Sequence, residues 1–407
     1  MATTPTIPLL TGRKILLGVT GSIACYKAVD LASRLTQAGA LVDVVLSEAA
    51  RQFVTPLTFA SVTGRRAYVD ADMWQQDSHL LHVALGGEAE VMIVAPATAH
   101  TLAKLAAGHG DTLLCLAALA SRAPFLVAPA MDAGMFDHPA TQANLAVLQS
   151  RGTVVLGPAE GRMASGLVGL GRMLEPDEIL GHMRQVLGRA GPLAGHTVLV
   201  TAGGTHEPID PVRVIANRSS GRQGFALAQA AIDRGAVVTL VTGPSTLTAP
   251  VGAQRIDIGT AAEMQEAVLS RLEGTDVLLM AAAVADFRSE SADQKIKREH
   301  GERTLVLKPT DDILAQVGAR RKKISRPRVV VGFAAESESL VENARAKVRV
   351  KGIDLIVAND IQAPDAGFAV ETNRVTLIDS SGTVQELPLM TKAEVAETVL
   401  DRVAALL

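Results

Sequence analysis

Two rhythms of apolar and polar positions run along this chain. Lys14 to Val19, Ala40 to Leu46, Val91 to Ala95 and Phe125 to Ala128 are short apolar runs that read as buried strands. Between the first two, Ile23, Ala28, Leu31, Ala32 and Leu35 recur at helical spacing and Gly39 stops the run, which predicts a helix over 23–38. A strand, the turn Gly18-Val-Thr-Gly21-Ser22, a helix and a strand within about 30 residues make a βαβ unit with parallel strands. The first ten residues read as a loose tail, with structure starting at Lys14. The pattern breaks at Gly188-Arg-Ala-Gly-Pro-Leu-Ala-Gly195 and restarts with a strand over His196 to Thr201. The same logic then repeats: Thr201-Ala-Gly203-Gly204-Thr205, a helix over 221–233, and Gly235-Ala-Val-Val-Thr-Leu-Val, the counterpart of Gly39-Ala-Leu-Val-Asp-Val-Val. The predicted fold is α/β, two Rossmann-like doubly wound domains in tandem, residues 1–190 and 191–407.

Composition narrows the function. The chain has 39 Lys plus Arg against 42 Asp plus Glu, a formal charge of -3 and 3% aromatic residues, so it offers neither a basic groove nor a stacking platform for nucleic acid. Apolar runs such as Leu113 to Ala120 fall short of the roughly 20 residues of a membrane span. Two cysteines, Cys25 and Cys115, in apolar surroundings make no disulfide framework or zinc site. A cytoplasmic protein is expected. Neither glycine turn matches G-x-G-x-x-G, and Ser47 stands where a ribose-binding acid would be wanted, so a dinucleotide fits less well than a mononucleotide. Gly21 and Ser22 at a helix start suit a single phosphate, bound by backbone N–H groups and the helix dipole.

Four ordered motifs, Gly18-Val-Thr-Gly-Ser-Ile-Ala, Ala95-Pro-Ala-Thr-Ala, Pro129-Ala-Met-Asp-Ala-Gly-Met-Phe and Gly171-Arg-Met, resemble those of the flavin-dependent cysteine decarboxylases. With the second half, the chain from about residue 12 resembles the bacterial bifunctional phosphopantothenoylcysteine decarboxylase/phosphopantothenate-cysteine ligase family of coenzyme A synthesis. The resemblance implies FMN, with its phosphate at Gly21, Ser22 and Ile23 and further contacts at Ser47 and at Thr98, Ala99, His100 and Thr101. It also implies a catalytic histidine at His82, fourteen residues before Pro96, in preference to His79. Two catalytic positions depart from the family pattern: Asp132 stands for an asparagine, and Ser165, in Ala164-Ser165-Gly166, stands for a cysteine. An ionised Asp repels a substrate carboxylate unless its pKa is raised, and an alcohol is a far weaker acid than a thiol.

The second half carries Asp210-Pro-Val-Arg-Val-Ile-Ala-Asn217-Arg-Ser-Ser-Gly-Arg-Gln-Gly224 ahead of its helix. Arg213, Arg218 and Arg222 beside a Ser-Ser-Gly turn form a candidate phosphate pocket. The ligase resemblance assigns Asn217 to the second half-reaction and Lys295, in Lys295-Ile-Lys297-Arg298, to a mobile loop closing on the nucleotide. It puts nucleotide contacts at Ala281, Ala282, Asp286, Thr310, Asp311, Asp312, Ile313, Phe333, Lys347 and Lys351, with Asn359-Asp360 completing the match. The implied reaction activates 4'-phosphopantothenate as an acyl-nucleotidylate with Mg2+ and CTP, ATP remaining open, and the amine of cysteine displaces the nucleotide. The family assembly implies a homo-oligomer, decarboxylase trimers joined through ligase dimers. The departures at 132 and 165 leave an alternative: an active ligase fused to a flavin-binding domain that has lost decarboxylation and serves assembly or regulation.

Overall fold

Strands flanked by helices on both faces bury both of their surfaces, which is why these runs are continuously apolar. The computed structural model describes residues 6–75, 80–297, 304–336, 340–360 and 372–407. The chain is two tandem α/β units, Met1–Leu187 and Gly188–Leu407.

In the first unit β1 (Lys14–Val19), β2 (Leu41–Leu46), β3 (Ala67–Val69), β4 (Val91–Ala97), β5 (Phe125–Pro129) and β6 (Val154–Val155) form a sheet of order 3-2-1-4-5-6, with every pair parallel. Alternate side chains of β1 enter opposite cores. Ile15, Leu17 and Val19 pack with Leu31 and Leu35 of the helix Cys25–Gln37 and with Ile179 and Met183 of the helix Pro176–Gly188. Leu16 packs with Met92, Leu102 and Leu113 on the other side. The first helix starts two residues later than its periodicity predicts, because Ile23 and Ala24 form a turn and Ile23 is exposed. The expected tail is partly core: Ile7 N–H donates to the Ala38 carbonyl at 3.0 Å, and Leu10 is fully buried. Two Pro in the first eight residues mask that anchoring in the sequence. A hairpin, β7 (Ala159–Arg162) and β8 (Val168–Arg172), follows the sheet.

The second unit contains β9 (Thr197–Ala202), β10 (His206–Pro208), β11 (Val214–Ala216), β12 (Val237–Thr242), β13 (Ala253–Asp257), β14 (Val277–Met280), β15 (Phe287–Arg288), β16 (Lys308–Pro309), β17 (Val329–Glu336), β18 (Leu355–Asp360), β19 (Thr372–Asn373), β20 (Val375–Asp379) and β21 (Val384–Glu386). Its main sheet runs 13-12-9-14-17-18-20-21. The first six positions repeat the order of the first sheet in parallel, and β20 and β21 extend it antiparallel. Val198 and Val200 face the helices Arg222–Asp233 and Lys392–Leu406, whereas Leu199 faces Met264, Val317 and Val348 of three other helices.

The helix Arg222–Asp233 lies so close to β9 that a Cβ on Gly224 would stand 2.5 Å from Ala202 Cβ and 2.8 Å from the Thr201 carbonyl oxygen. Backbone on both sides cannot yield. Gly224→Ala therefore lowers the stability of this unit by about 1–3 kcal/mol. Denaturant unfolding checks this, and an unchanged midpoint would refute the close packing.

Candidate functional site

In the first sheet the strand order reverses between β1 and β4, the point where open α/β sheets form a ligand crevice beyond their carboxyl ends. Thr20, buried just after β1, donates from Oγ1 to the Pro96 carbonyl at 2.7 Å and accepts from Thr98 N–H at 3.1 Å. Thr98 in turn caps the helix Ala99–Ala107, accepting from Thr101 N–H. Gly21 presses on the segment after β2, where an added Cβ would lie 2.5 Å from Ala49 Cβ. Ser47 N–H donates to the Val19 carbonyl at 3.0 Å, and Ser47 Oγ accepts from Ala50 N–H. Three neighbouring strand ends thus bring together Gly21, Ser22 and Ile23, Ser47, and the stretch Thr98 to Thr101, within which His100 is exposed and Thr101 buried. No acceptor holds the Ser22 or Ile23 amide among the described residues.

The two departures from the family pattern are partners. Asp132 caps the helix Ala133–Asp137, its Oδ1 accepting from Gly134 N–H at 3.1 Å. Ser165, in the turn of the β7–β8 hairpin, donates from Oγ to Asp132 Oδ2 at 2.6 Å. The hairpin is tied to the exit of β5 by Met131 N–H, which donates to the Gly171 carbonyl at 3.0 Å. His82 is half-buried in the first turn of the helix Leu81–Glu88, not in a loop. No hydrogen bond or ion pair joins it to Asp132 or Ser165 among the described residues, and His79 lies outside them. Cys25 and Cys115 are free and buried, and burial pushes both thiols up.

The second sheet reverses between β9 and β14, and a cleft of about 570 Å³ opens there. Its floor is the stretch Ala281 to Asp286, strapped from several directions. Thr201 Oγ1 accepts from Ala282 N–H at 3.1 Å, and Thr205 Oγ1 accepts from Ala285 N–H at 2.9 Å. Asn217 Nδ2 donates to the Val284 carbonyl at 2.9 Å, and Thr310 Oγ1 donates to that of Ala285 at 2.6 Å. Asp311, Asp312, Ile313 and Phe333 share the cleft with Lys347 and Lys351, which lie one turn apart at the end of the helix Leu340–Lys351. Lys351 Nζ pairs with Asp312 Oδ2 at 2.9 Å. Burial alone would raise the Asp312 carboxyl, but the Ala315 amide and Lys351 outweigh it and hold it below its ordinary value.

Two of the residues predicted from sequence lie elsewhere. Lys295 is exposed in an irregular stretch and does not line the cleft, and Arg298 lies outside the described residues. Arg213, expected in a phosphate pocket with Arg218 and Arg222, instead engages Asp210 and the Ile296 carbonyl. Arg218 and Arg222 do line the cleft.

Sequence reasoning missed Thr20, Gln223, Asn373 and Lys392. Lys392 is 6% exposed on the cleft wall, and burial first, then Arg222 nearby, lowers its pKa. Gln223 Nε2 donates to the Lys392 carbonyl, while Gln223 Oε1 and Asn359 Oδ1 are buried without a partner among the described residues. Lys392 sits 168 positions after Asn359's fellow wall residue Gly224, so no local motif marks it.

Comparison with known proteins bears on both sites. Residues 8–188 match the family model described as Flavoprotein, and residues 193–407 match the DNA/pantothenate metabolism flavoprotein C-terminal domain. The chain is 44% identical over 402 residues to the coenzyme A biosynthesis bifunctional protein CoaBC of Bacillus subtilis (strain 168), covering 98% of each chain. The protein of that name from Escherichia coli (strain K12) is 42% identical over 398 residues, covering 97% of each. The Vibrio cholerae counterpart is 43% identical over 394 residues, 96% of this chain and 98% of its own. With both units matched in order over nearly the whole length, the chain belongs to the CoaBC family of bifunctional coenzyme A biosynthesis proteins and is an enzyme with ligase and lyase activities.

Proposed function

We propose that the second unit joins 4'-phosphopantothenate to cysteine through an acyl-nucleotidylate, with CTP as the nucleotide, and that the first unit binds FMN and decarboxylates the product to 4'-phosphopantetheine. The observation that carries the ligase reading is the cleft at the strand-order reversal, which unites Asn217, the 281–286 floor, Thr310 to Ile313, Lys347 and Lys351. Lysines and arginines on its walls offset the charge of a triphosphate and a substrate phosphate. Asn217, held by the Val284 carbonyl, sits where an amide can orient an acyl intermediate against the cysteine amine. Mg2+ would be carried largely by the nucleotide's own phosphates.

For FMN, the Gly21 turn is the test of fit: it admits no Cβ, and the Ser22 and Ile23 amides just ahead of a helix start have no acceptor among the described residues. Gly21, Ser22 and Ile23 would hold the phosphate, with Ser47 and Thr98 to Thr101 at the adjoining strand ends. Bound flavin supplies the two-electron chemistry that eases loss of carbon dioxide. His82 is the residue assigned to positioning or accepting a proton. In the same reading each unit is doubly wound, the activities divide near residue 190, and the enzyme assembles in the cytoplasm from decarboxylase trimers joined by ligase dimers.

The Ser165–Asp132 hydrogen bond favours a second reading, in which the first unit holds flavin without completing decarboxylation. The serine proton is committed to the Asp132 carboxylate, and a serine hydroxyl is a weaker acid than a thiol, whose reference pKa is near 8.5.

Incubation with phosphopantothenate, cysteine, Mg2+ and either CTP or ATP, followed by mass spectrometry, tests the whole assignment. Phosphopantetheine must appear with CTP for it to stand. Lys295→Gln cuts ligation by about 100-fold or more and leaves flavin absorbance intact. Asn217→Asp preserves pyrophosphate release and blocks amide formation, and equal loss of both half-reactions refutes its assigned role. His82→Asn abolishes carbon dioxide release while His79→Asn keeps most of it; the reverse pattern shows the wrong histidine was chosen. Ser165→Cys raises the yield of fully reduced product, seen as a mass difference of two hydrogens. Identical rates and products in both proteins would remove Ser165 from the chemistry.

A further inference from the structure

The stretch that carries Lys295 has no helix or strand between Arg288 and Lys297, and Lys295 itself makes no hydrogen bond or ion pair among the described residues. Its main chain is nevertheless held at defined points. Ala292 N–H donates to the Ile209 carbonyl at 2.9 Å, and Ile296 N–H, next to Lys295, donates to Asp210 Oδ2 at 3.1 Å. Arg213 Nη1 closes the circuit, donating to Asp210 Oδ2 at 2.5 Å and to the Ile296 carbonyl at 3.0 Å.

Asp210 is the centre of this arrangement. It is 2% exposed, and its Oδ1 accepts from Val212 N–H at 2.8 Å and Arg213 N–H at 2.9 Å. Those two bonds alone would make an ordinary Asx turn. The bonds to and from Ile296 are of a different kind, because they join residues 86 and 83 positions apart. Burial would raise the Asp210 carboxyl, yet the three amides and the guanidinium pull it down to about 2, so the clamp is ionised throughout the working pH range. At the other end of the stretch, Asp286 is fixed by its carbonyl, which accepts from Thr310 N–H at 2.9 Å. The segment between the cleft floor and Lys295 is therefore pinned at both ends.

We propose that Asp210 is a positioning residue of the ligation: its buried carboxylate clamps the main chain beside Lys295 to the Asp210–Arg213 turn and so sets where that lysine is presented. The inference rests on the reading that Lys295 acts on the nucleotide. With the clamp closed, the ammonium searches only the rotamers of its own side chain. Without it, backbone freedom is added, and misplacement of a reacting group by about 1 Å can cost on the order of 100-fold in rate.

The test is a double-mutant cycle on the full chain, read as single-turnover pyrophosphate release with phosphopantothenate, CTP and Mg2+. Asp210→Asn lowers the rate constant about tenfold or more and changes the KM for phosphopantothenate less than about twofold. In the Lys295→Gln background the same substitution adds less than about a further twofold to the loss. Ile296→Pro removes the amide donor of the tether, while also fixing φ at 296 and restricting the Lys295 backbone, and lowers the rate to a similar extent, whereas Ile296→Ala keeps the tether and the rate. This second variant carries the test if Asp210→Asn does not fold. Parent rates in Asp210→Asn and Ile296→Pro, with Lys295→Gln inactive, overturn the clamp alone. A full Asp210→Asn penalty in the Lys295→Gln background also overturns it, since the effect then does not pass through the lysine. Parent rates in Lys295→Gln overturn the underlying assignment of Lys295 instead.

Discussion

A parallel sheet whose strand order reverses lets two neighbouring chains leave in opposite directions, and a crevice opens between them. Its usefulness depends on keeping those departing chains at a fixed separation. In both units a buried threonine hydroxyl does this. Thr20 links the end of β1 to Pro96 and Thr98 beyond β4, and Thr201 near the end of β9 receives Ala282 N–H beyond β14. A side-chain hydrogen bond is worth about 1 kcal/mol net, but an unmade one in a buried place costs more. The tie therefore fixes geometry chiefly by penalising the alternatives. Glycines complete the fit, since Gly21 and Gly224 let backbone approach backbone where any Cβ would intrude.

The two crevices differ in electrostatics. The cleft of the second unit gathers cations from distant elements: Arg218 and Arg222 ahead of and at the start of one helix, Lys347 and Lys351 near the end of another, and Lys392 at the start of a third. Lys351 is matched internally by Asp312, and burial lowers the pKa of Lys392. Such a wall is costly to build without an anionic occupant and complementary to one when it arrives. In the first unit Ser165 and Asp132 are instead engaged with one another. The chain thus holds one site organised around charge and another organised around orientation.

Strands, the first helix and the repeat of one architecture were legible because burial on both faces leaves an unmistakable apolar run and because helical periodicity is local. Lys14 to Val19 is a strand as read, and Lys347 and Lys351 do share the end of one helix. Turn residues shifted one boundary: Ile23 continues the apolar periodicity but belongs to the turn ahead of the helix. No strong local pattern marks the helix to which His82 belongs. The ordered motifs also named most of the cleft, since Asn217, Ala281 to Asp286 and Thr310 to Asp312 lie on loops that follow strands directly.

By itself, then, the sequence determined the two α/β units, the loops that approach each crevice and the family to which they belong, because each of these is encoded in residues close together along the chain. Tertiary structure alone decided which groups meet. Asp132 and Ser165 are 33 positions apart and Asp210 and Ile296 are 86, and nothing in their neighbourhoods reveals that one carboxylate takes the serine proton or that the other clamps the backbone beside Lys295. Lys392 belongs to the cleft only because the last helix packs against the one that begins at Arg222. Hydrogen bonds and burial act through space, and their partners become definite only once the sheets have brought distant loops to the same edge.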